Sequence, residues 1–183
     1  ALWVYFTGAM HLDGVADTAD AWVGGLGNHE RTLEIMKDPR VGAMAVAAMV
    51  VVLLVKFAAI AALLEQAHSD LGLLMGGLLL IPMLARAGII ALMATTSYVR
   101  KQGMVSDTQS AATKSKVMLM SAVLALLALA LLQEKALLIL LVWLAVLVGY
   151  RAAIKKRLGG YTGDTLGAAV EIQEAVLLVA LAL

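Results

Sequence analysis

The 183-residue sequence has no cysteine, only two prolines and few charged residues, and these shortages exclude several classes of protein. Without cysteine, neither a disulfide framework nor a thiolate metal site can form. Charged residues make up 15% of the chain, whereas a soluble domain carries about a quarter. Since 62% of the residues are hydrophobic, much of the surface must face something other than water.

The apolar residues are gathered into long blocks. At about 1.5 Å per helical residue, residues 41–64 exceed a hydrocarbon core of about 30 Å. The blocks lack the alternating pattern of a membrane barrel, and a lipid-facing backbone then leaves only helices. The five blocks are residues 41–64, 71–99, 117–132, 136–149 and 165–183.

These blocks predict an all-α fold, a polytopic membrane bundle of about six spans that forms one catalytic domain over residues 1–183. The short connection at residues 133–135 predicts a helical hairpin. Because the sequence starts inside an apolar stretch, we expect the first span to be incomplete and further N-terminal residues to precede it.

Lysine and arginine are distributed unequally among the connections. Residues 11–40, 100–116 and 150–164 hold eleven of them, whereas residues 65–70 and 133–135 hold one. Cytoplasmic loops of membrane proteins carry such an excess of positive charge. The three longer connections are therefore predicted to lie together on the cytoplasmic side.

The first polar cluster is an acidic stretch, HLDGVADTADAW, at residues 11–22. Asp13, Asp17 and Asp20 fall within about 60° of one another on a helix, where like charges repel. A solvated acidic helix start is one interpretation, since carboxylates favour a helix N-terminus. A Mg²⁺ ion bridging the carboxylates to a phosphate is the preferred hypothesis.

The second cluster is LEIMKDPRVGA, at residues 33–43. Asp38 followed by Pro39 is typical of an N-cap and a first helical residue, so Asp38 could start the next span. Glu34 lies four residues before Asp38, and the pair could equally face a metal ion. Lys37 and Arg40 could bind phosphate.

The third cluster is LGGYTGDTLGAAVE, at residues 158–171. Thr162, Asp164 or Thr165 can cap the last helix, and a helix N-terminus at a membrane surface attracts anions. Asp164 and Glu171, seven residues apart, share a helical face. This helix is therefore expected to direct its carboxylates toward the first cluster.

Lys56 and Arg86 are cations inside apolar blocks. Each costs roughly 2.5–3.5 kcal/mol at the centre of a membrane, so such residues usually mark function or an internal ion pair. Pairing with the acidic clusters is the structural alternative to phosphate binding. His11 could act as a base or a hydrogen-bond donor.

Together these motifs resemble the adenosylcobinamide-GDP ribazoletransferase family, also called cobalamin synthases. The resemblance rests on HLDGVADTAD at residues 11–20, LEIMKDPRVG at residues 33–42 and GGYTGDTLGAAVE at residues 159–171, with Lys56, ARAGII at residues 85–90 and YVRKQG at residues 98–103 between them. It extends from about residue 7 to the end of the chain. The family has further N-terminal residues.

The resemblance implies the last assembly step of the coenzyme B12 nucleotide loop. Adenosylcobinamide-GDP reacts with α-ribazole or its 5′-phosphate, giving adenosylcobalamin or its phosphate and GMP, with Mg²⁺ required. It also implies a multi-pass protein of the cytoplasmic (inner) membrane, with the lipid bilayer as surroundings and no nucleic-acid partner. Homo-oligomerisation stays open.

The resemblance also suggests a role for each conspicuous residue. Mg²⁺ is expected on Asp13, Asp17 and Asp20, with Glu34 or Asp38 completing its ligands. Asp17 or Asp164 would accept the proton of the attacking hydroxyl, assisted by His11. The remaining candidates are expected to bind substrate, and they are Lys37, Arg40, Lys56, Arg86, Arg100, Thr162, Gly163, Asp164 and Glu171.

Three other functions compete with this hypothesis. CDP-alcohol phosphotransferases share the DG and aspartate spacing, and membrane prenyltransferases use aspartate-rich helices around a diphosphate. Neither accounts for TGDTLGAAVE at residues 162–171. A cation or proton transporter would instead distribute its acidic residues through the depth of the membrane.

Overall fold

The computed structural model describes residue 4 and residues 9–66, 71–99 and 111–183. Within these ranges the chain is helical and no strand forms, which confirms the predicted all-α class. The helices are α1 (Met10–Gly24), α2 (His29–Ile35), α3 (Ala43–Gln66), α4 (Leu71–Thr95), α5 (Ala111–Leu132), α6 (Ala136–Leu158) and α7 (Gly163–Ala182), with a 3₁₀ turn at Gln133–Lys135.

Four helical stretches of the described chain are long and apolar enough to cross a membrane. They are Ala43–Gln66, Leu71–Thr95, Leu119–Leu158 and Gly163–Ala182. Leu119–Leu158 comprises most of α5, the 3₁₀ turn and α6. Large apolar side chains such as Phe57, Leu126 and Leu137 are exposed on the outer faces, as expected for a bundle whose surroundings are lipid.

The connection at residues 133–135 turns the chain back, as the sequence predicts for a helical hairpin. Leu131, near the end of α5, packs against Gly76 in the second turn of α4. At the far end of α4, the carbonyl of Thr95 accepts a hydrogen bond of 2.6 Å from Arg151 of α6. Helices α4 and α6 therefore run parallel to each other, and α5, which connects the end of α4 to the start of α6, runs in the opposite direction.

The connections lie at two opposite ends of the bundle. At one end, Lys135 Nζ donates to the carbonyl of Leu181 at 2.9 Å, and Gln66 donates to that of Ala182 at 2.8 Å. At the other end, the backbones of Tyr98 and Tyr161 form an isolated β-bridge. We call this second end the loop end; it also contains the connections around α2.

Helix α7 is the central element of the bundle. It packs against α1, α3, α4 and α6, and most of its residues are buried. Leu177, Leu178 and Leu181 meet Leu80 and Leu84 of α4 in the main apolar cluster. Because α7 is enclosed on several sides, the polar side chains on it must find partners inside the bundle.

Candidate active site

Helices α1 and α7 approach each other closely because glycines face one another across the contact. A Cβ atom at Gly14 would lie 2.5 Å from the carbonyl oxygen of Asp164, so no larger residue fits there without a shift. A Cβ atom at Gly167 would lie 3.3 Å from His11 Cα. Since Gly14 meets the start of α7 and His11 meets a point further along it, the two helices run antiparallel.

This contact brings two of the predicted acidic residues to one cavity. Asp13 of α1 and Asp164 of α7 both line a cavity of about 340 Å³ near the loop end. His11 and Gly163 line it as well. The structure therefore brings together candidate residues from the first and third sequence clusters. Asp13 and Asp164 are 151 positions apart in the sequence.

The start of α7 is fixed by the predicted threonine cap. The Thr162 hydroxyl accepts a hydrogen bond from the backbone N–H of Thr165 at 3.2 Å, and the Thr165 hydroxyl accepts one from the Thr162 N–H at 2.8 Å. This reciprocal arrangement is a capping box. Thr162 is buried, and the geometry supports a structural role for it as the helix cap. Gly163, the next residue, is exposed at the cavity.

Asp20 caps helix α3 from another part of the chain. Its Oδ2 accepts a hydrogen bond of 2.5 Å from the N–H of Gly42, and its Oδ1 accepts one of 2.9 Å from that of Ala45. A Cβ atom at Gly42 would lie 2.6 Å from Asp20 Oδ1, so glycine permits this approach. Asp20 was predicted as a metal ligand, but here both carboxylate oxygens bind backbone amides.

The predicted N-cap role of Asp38 is wrong, because α3 begins five residues later at Ala43. The Asp38 carboxylate instead binds Arg40, with Oδ2 and Nη2 2.6 Å apart. Hydrogen bonds from the Arg40 side chain hold the pKa of Asp38 down at about 2. The same contacts raise the pKa of Arg40.

Glu34 and Asp38 share a second cavity, of about 550 Å³, as their four-residue spacing suggested. Asp38 and Arg40 also line a third cavity with Asp20, of about 470 Å³. Glu34 and Lys37 are both exposed. These two cavities lie around α2 and the start of α3.

The acidic residues of the first two clusters thus occupy different surroundings. Asp13 lines the cavity at α7, Asp17 lies one turn along α1, and Asp20 caps α3. Across the described residues, no three histidine, aspartate or glutamate side chains are gathered as ligands for one metal ion. The predicted ligand set, Asp13, Asp17 and Asp20 with Glu34 or Asp38, is therefore not gathered at one point in this part of the chain.

Lys56 lies in a buried ionic network inside the bundle. Its Nζ is 2.7 Å from Glu171 Oε2 and 2.6 Å from Glu174 Oε2. Arg86 also bonds to Glu174, through Nη1. Side-chain exposure is 9% for Lys56, 3% for Glu171 and 0% for Glu174, so these groups are removed from solvent. Two cations and two carboxylates balance each other's charge.

This network changes the interpretation of two predicted substrate-binding residues. Lys56 and Glu171 are buried against each other, so the structure supports the alternative of an internal ion pair. Arg86 differs, because 34% of its side chain is exposed. His11 connects the network to the cavity, since its Nδ1 lies 4.0 Å from Glu171 Oε1.

Glu174 is the network member that sequence reasoning missed. It follows Glu171 by three residues, which places both on one face of α7 and supplies the second carboxylate for two cations. Two acidic residues at that spacing in an apolar helix were the available signal. Arg100, predicted to bind phosphate, lies outside the described residues.

Comparison with known proteins identifies similar sequences over the full chain. The sequence model of a family described as cobalamin-5-phosphate synthase matches residues 1–182. The adenosylcobinamide-GDP ribazoletransferase of Pseudomonas paraeruginosa PA7 is 50% identical over 186 residues, covering 100% of this chain and 72% of that protein. Proteins of the same name from Pseudomonas fluorescens Pf0-1 and Stutzerimonas stutzeri A1501 are 45% and 43% identical, each covering 100% of this chain and 73% and 72% of their own lengths. No solved structure matches.

Proposed function

Because this chain belongs to the cobalamin-5-phosphate synthase family, we propose that it is an adenosylcobinamide-GDP ribazoletransferase. It transfers the cobinamide phosphate of adenosylcobinamide-GDP to α-ribazole or α-ribazole 5′-phosphate. The products are adenosylcobalamin, or its phosphate, and GMP. The observation that carries this proposal is the family match along residues 1–182, which includes every polar cluster of the chain.

The reaction is a phosphoryl transfer in which a ribazole hydroxyl replaces GMP. The hydroxyl oxygen forms a bond to the cobinamide-bearing phosphorus, the bond from that phosphorus to the oxygen of GMP breaks, and the hydroxyl loses its proton. Such transfers depend mainly on positioning and on neutralising phosphate charge. We assign the proton to Asp164, because it lines the same cavity as Asp13 from the opposite helix.

A Mg²⁺ requirement belongs to the proposal, and Asp13 and Asp17 are the residues that would hold the ion. Mg²⁺ in phosphate-transfer sites often takes one or two carboxylates and completes its shell with phosphate oxygens and water. Asp13 is exposed at the cavity, and Asp17 follows one turn later on the same helix. When bound, the ion would neutralise pyrophosphate charge. The carboxylate oxygens of Asp20 bind backbone amides of α3, and the Asp38 carboxylate binds Arg40.

Basic residues at the loop end would meet the rest of the pyrophosphate and the GMP phosphate. Lys37 and Arg40 are exposed there, on the segment that lines the cavity next to Asp20. Arg86 lies further inside the bundle, where it bonds to Glu174 and 34% of its side chain is exposed. An arginine can bind a phosphate through two parallel hydrogen bonds, which orients as well as neutralises it.

The proposal also includes the membrane that holds the protein and the orientation of the protein in it. We place the protein in the cytoplasmic membrane with the loop end in the cytoplasm. The support is the excess of lysine and arginine in the connections of this end. Nucleotide substrates of the cytoplasm would then reach the cavity of Asp13 and Asp164 directly.

The test is GMP release by the purified protein in detergent or liposomes. We expect GMP when adenosylcobinamide-GDP, α-ribazole and Mg²⁺ are all present. Removing the divalent ion with a chelator should stop release, and added Mg²⁺ should restore it. Absence of GMP from folded protein would reject the enzyme, and cation flux in the same liposomes would favour a transporter. GMP release that continues in the chelator would reject only the metal requirement.

A further inference from the structure

The cavity between α1, α4 and α7 has one polar and one apolar side. His11, Asp13 and Asp164 form the polar side, where carboxylates can accept hydrogen bonds from hydroxyl groups. Three large apolar side chains from three different helices form the other side. They are Met10 of α1, Ile89 of α4 and Leu166 of α7.

The two aspartates lie nearer the loop end than two of the apolar residues do. Because α1 runs antiparallel to α7, Met10 lies about 4.5 Å deeper along α1 than Asp13 does. Ile89 lies six residues before the end of α4, or about 9 Å from it. Asp164 is the second residue of α7, whose start is at the loop end. The two carboxylates thus lie toward the loop-end part of the cavity, and His11 lies next to Met10 on α1.

His11 connects the cavity to buried groups that already have partners. Glu171 lies 4.0 Å from His11 and is neutralised by Lys56. Among the described residues that line the cavity there is neither lysine nor arginine. The described lining therefore offers apolar contact and hydrogen-bond acceptors, without a side-chain cation that would hold a phosphate.

Size restricts what can enter. Ligand cavities in proteins measure about 300–1,000 Å³, and this cavity, at about 340 Å³, lies at the small end. A nucleoside fits such a volume, whereas a corrin macrocycle joined to a nucleotide does not. The nucleoside must combine a flat apolar base with sugar hydroxyl groups to match both sides.

We infer that this cavity is the acceptor subsite, with the base of the nucleoside against Met10, Ile89 and Leu166 and its sugar toward Asp13 and Asp164. This inference rests on the proposed function, in which the acceptor is α-ribazole, a nucleoside with a benzimidazole base. The attacking hydroxyl then lies on the side of the cavity nearer the loop end. The pyrophosphate of the donor meets it from the mouth, beside the exposed basic residues.

Two substitutions test the assignment without disturbing the core. Met10→Ala removes apolar lining at a residue that is 72% exposed, so little packing is lost. Gly163→Val adds bulk at the cavity, and a Cβ atom at this position meets nothing within 4 Å. The control is Met75→Ala, which shortens an exposed methionine near the start of α4, at the end of the bundle opposite the loop end.

The measurements are the two KM values for GMP release and the direct binding of α-ribazole by equilibrium dialysis. We expect both test variants to raise the KM for α-ribazole and to weaken its binding by about ten-fold, the low end for lost apolar contacts in a pocket. The KM for adenosylcobinamide-GDP should change less than about two-fold, and Met75→Ala should change neither value.

The outcomes separate this inference from the proposed function. If the wild type releases GMP but both variants bind α-ribazole normally, the acceptor assignment is wrong and the proposed function stands. If the variants raise only the KM for adenosylcobinamide-GDP, the cavity holds part of the donor instead. A wild type that neither releases GMP nor binds α-ribazole overturns both, whereas binding that both variants weaken, without turnover, supports the subsite and rejects the activity.

Discussion

Asp13 and Asp20 lie on the same side of α1, seven residues apart, yet their carboxylates have different roles. Asp13 is exposed at the cavity shared with Asp164, whereas Asp20 binds the backbone at the start of α3. At about 1.5 Å per residue, they are separated by about 10 Å along the helix. One Mg²⁺ ion, with ligands near 2 Å, is not expected to reach both.

Replacing Asp13 by asparagine should abolish turnover and leave the fold intact. Residues that hydrogen-bond to metal ligands typically contribute about 10–100-fold to metal affinity or activity. Loss of a ligand itself should therefore lower the rate of GMP release by at least about 100-fold. The exposed side chain supports little packing, and the unfolding temperature should stay near that of the wild type. Glu134→Gln, in the 3₁₀ turn at the opposite end, is the control and should keep full activity. Normal turnover in Asp13→Asn would remove the metal assignment.

Replacing Asp20 should act on stability first. Asp20→Ala should lower the free energy of unfolding by about 1 kcal/mol, because two amides of α3 lose their acceptor. Asp20→Asn should lose less, since its amide oxygen can still accept one of the two hydrogen bonds although its NH2 group cannot accept the other. Unfolding in detergent, followed by tryptophan fluorescence, measures both. A stable Asp20→Asn protein that has lost all activity would instead support the sequence-based metal prediction.

At the scale of the helices, the ionic network decides how α7 packs. Lys56 of α3, Arg86 of α4 and two glutamates of α7 join three helices through side chains that cannot be left unpaired in a membrane. The polar half of α7 is thereby fixed against α3 and α4, and the facing glycines of α1 and α7 place Asp164 beside Gly14. The network acts on the site by holding these helices, without lining the cavity itself.

Removing one charged partner of this network should destabilise the protein. Lys56→Met leaves a buried carboxylate without its cation and should destabilise the protein by about 3–5 kcal/mol. Combining Lys56→Met with Glu171→Gln removes one charge of each sign and should recover much of that loss. The yield of monodisperse protein and the unfolding temperature, measured for the double mutant and both single variants, give the coupling. Additive effects would contradict a direct ion pair.

At the scale of the whole molecule, the described connections lie at two opposite ends of the bundle. Lysine and arginine are concentrated in the connections of the loop end. The chain has no cysteine, so single cysteines report sidedness cleanly. In intact cells, a membrane-impermeant maleimide should label Glu134→Cys and should label Glu30→Cys only after the membrane is opened. Both residues are exposed, so access differs only through the bilayer. The reverse labelling would invert the proposed orientation.

Much of the fold could be predicted because it follows from local patterns. The block of residues 41–64 predicts the span that α3 forms, and residues 133–135 predict the hairpin turn between α5 and α6. The threonine cap at Thr162 was among the predicted alternatives, since capping depends on neighbouring residues alone. The start of α3 was missed because its cap comes from Asp20, more than twenty positions away.

The candidate site was predictable in its residue types and only partly in its geometry. The sequence indicated that Asp13 and Asp164 belong together, and the structure brings them to one cavity. It also indicated that Lys56 and Glu171 were candidates for substrate, yet they pair with each other inside the bundle. Whether a buried charge meets a ligand or a neighbouring helix depends on helix rotation, which sequence spacing does not specify.

The sequence by itself determined that the chain is a helical membrane protein, which connections share an end, and which family it belongs to. These properties follow from hydropathy, charge and motifs that are read along the chain. Only the tertiary structure decided how the acidic residues divide among cavity, helix cap and ion pair. The physical reason is that each carboxylate takes the nearest donors in space, and those donors come from helices far apart in sequence.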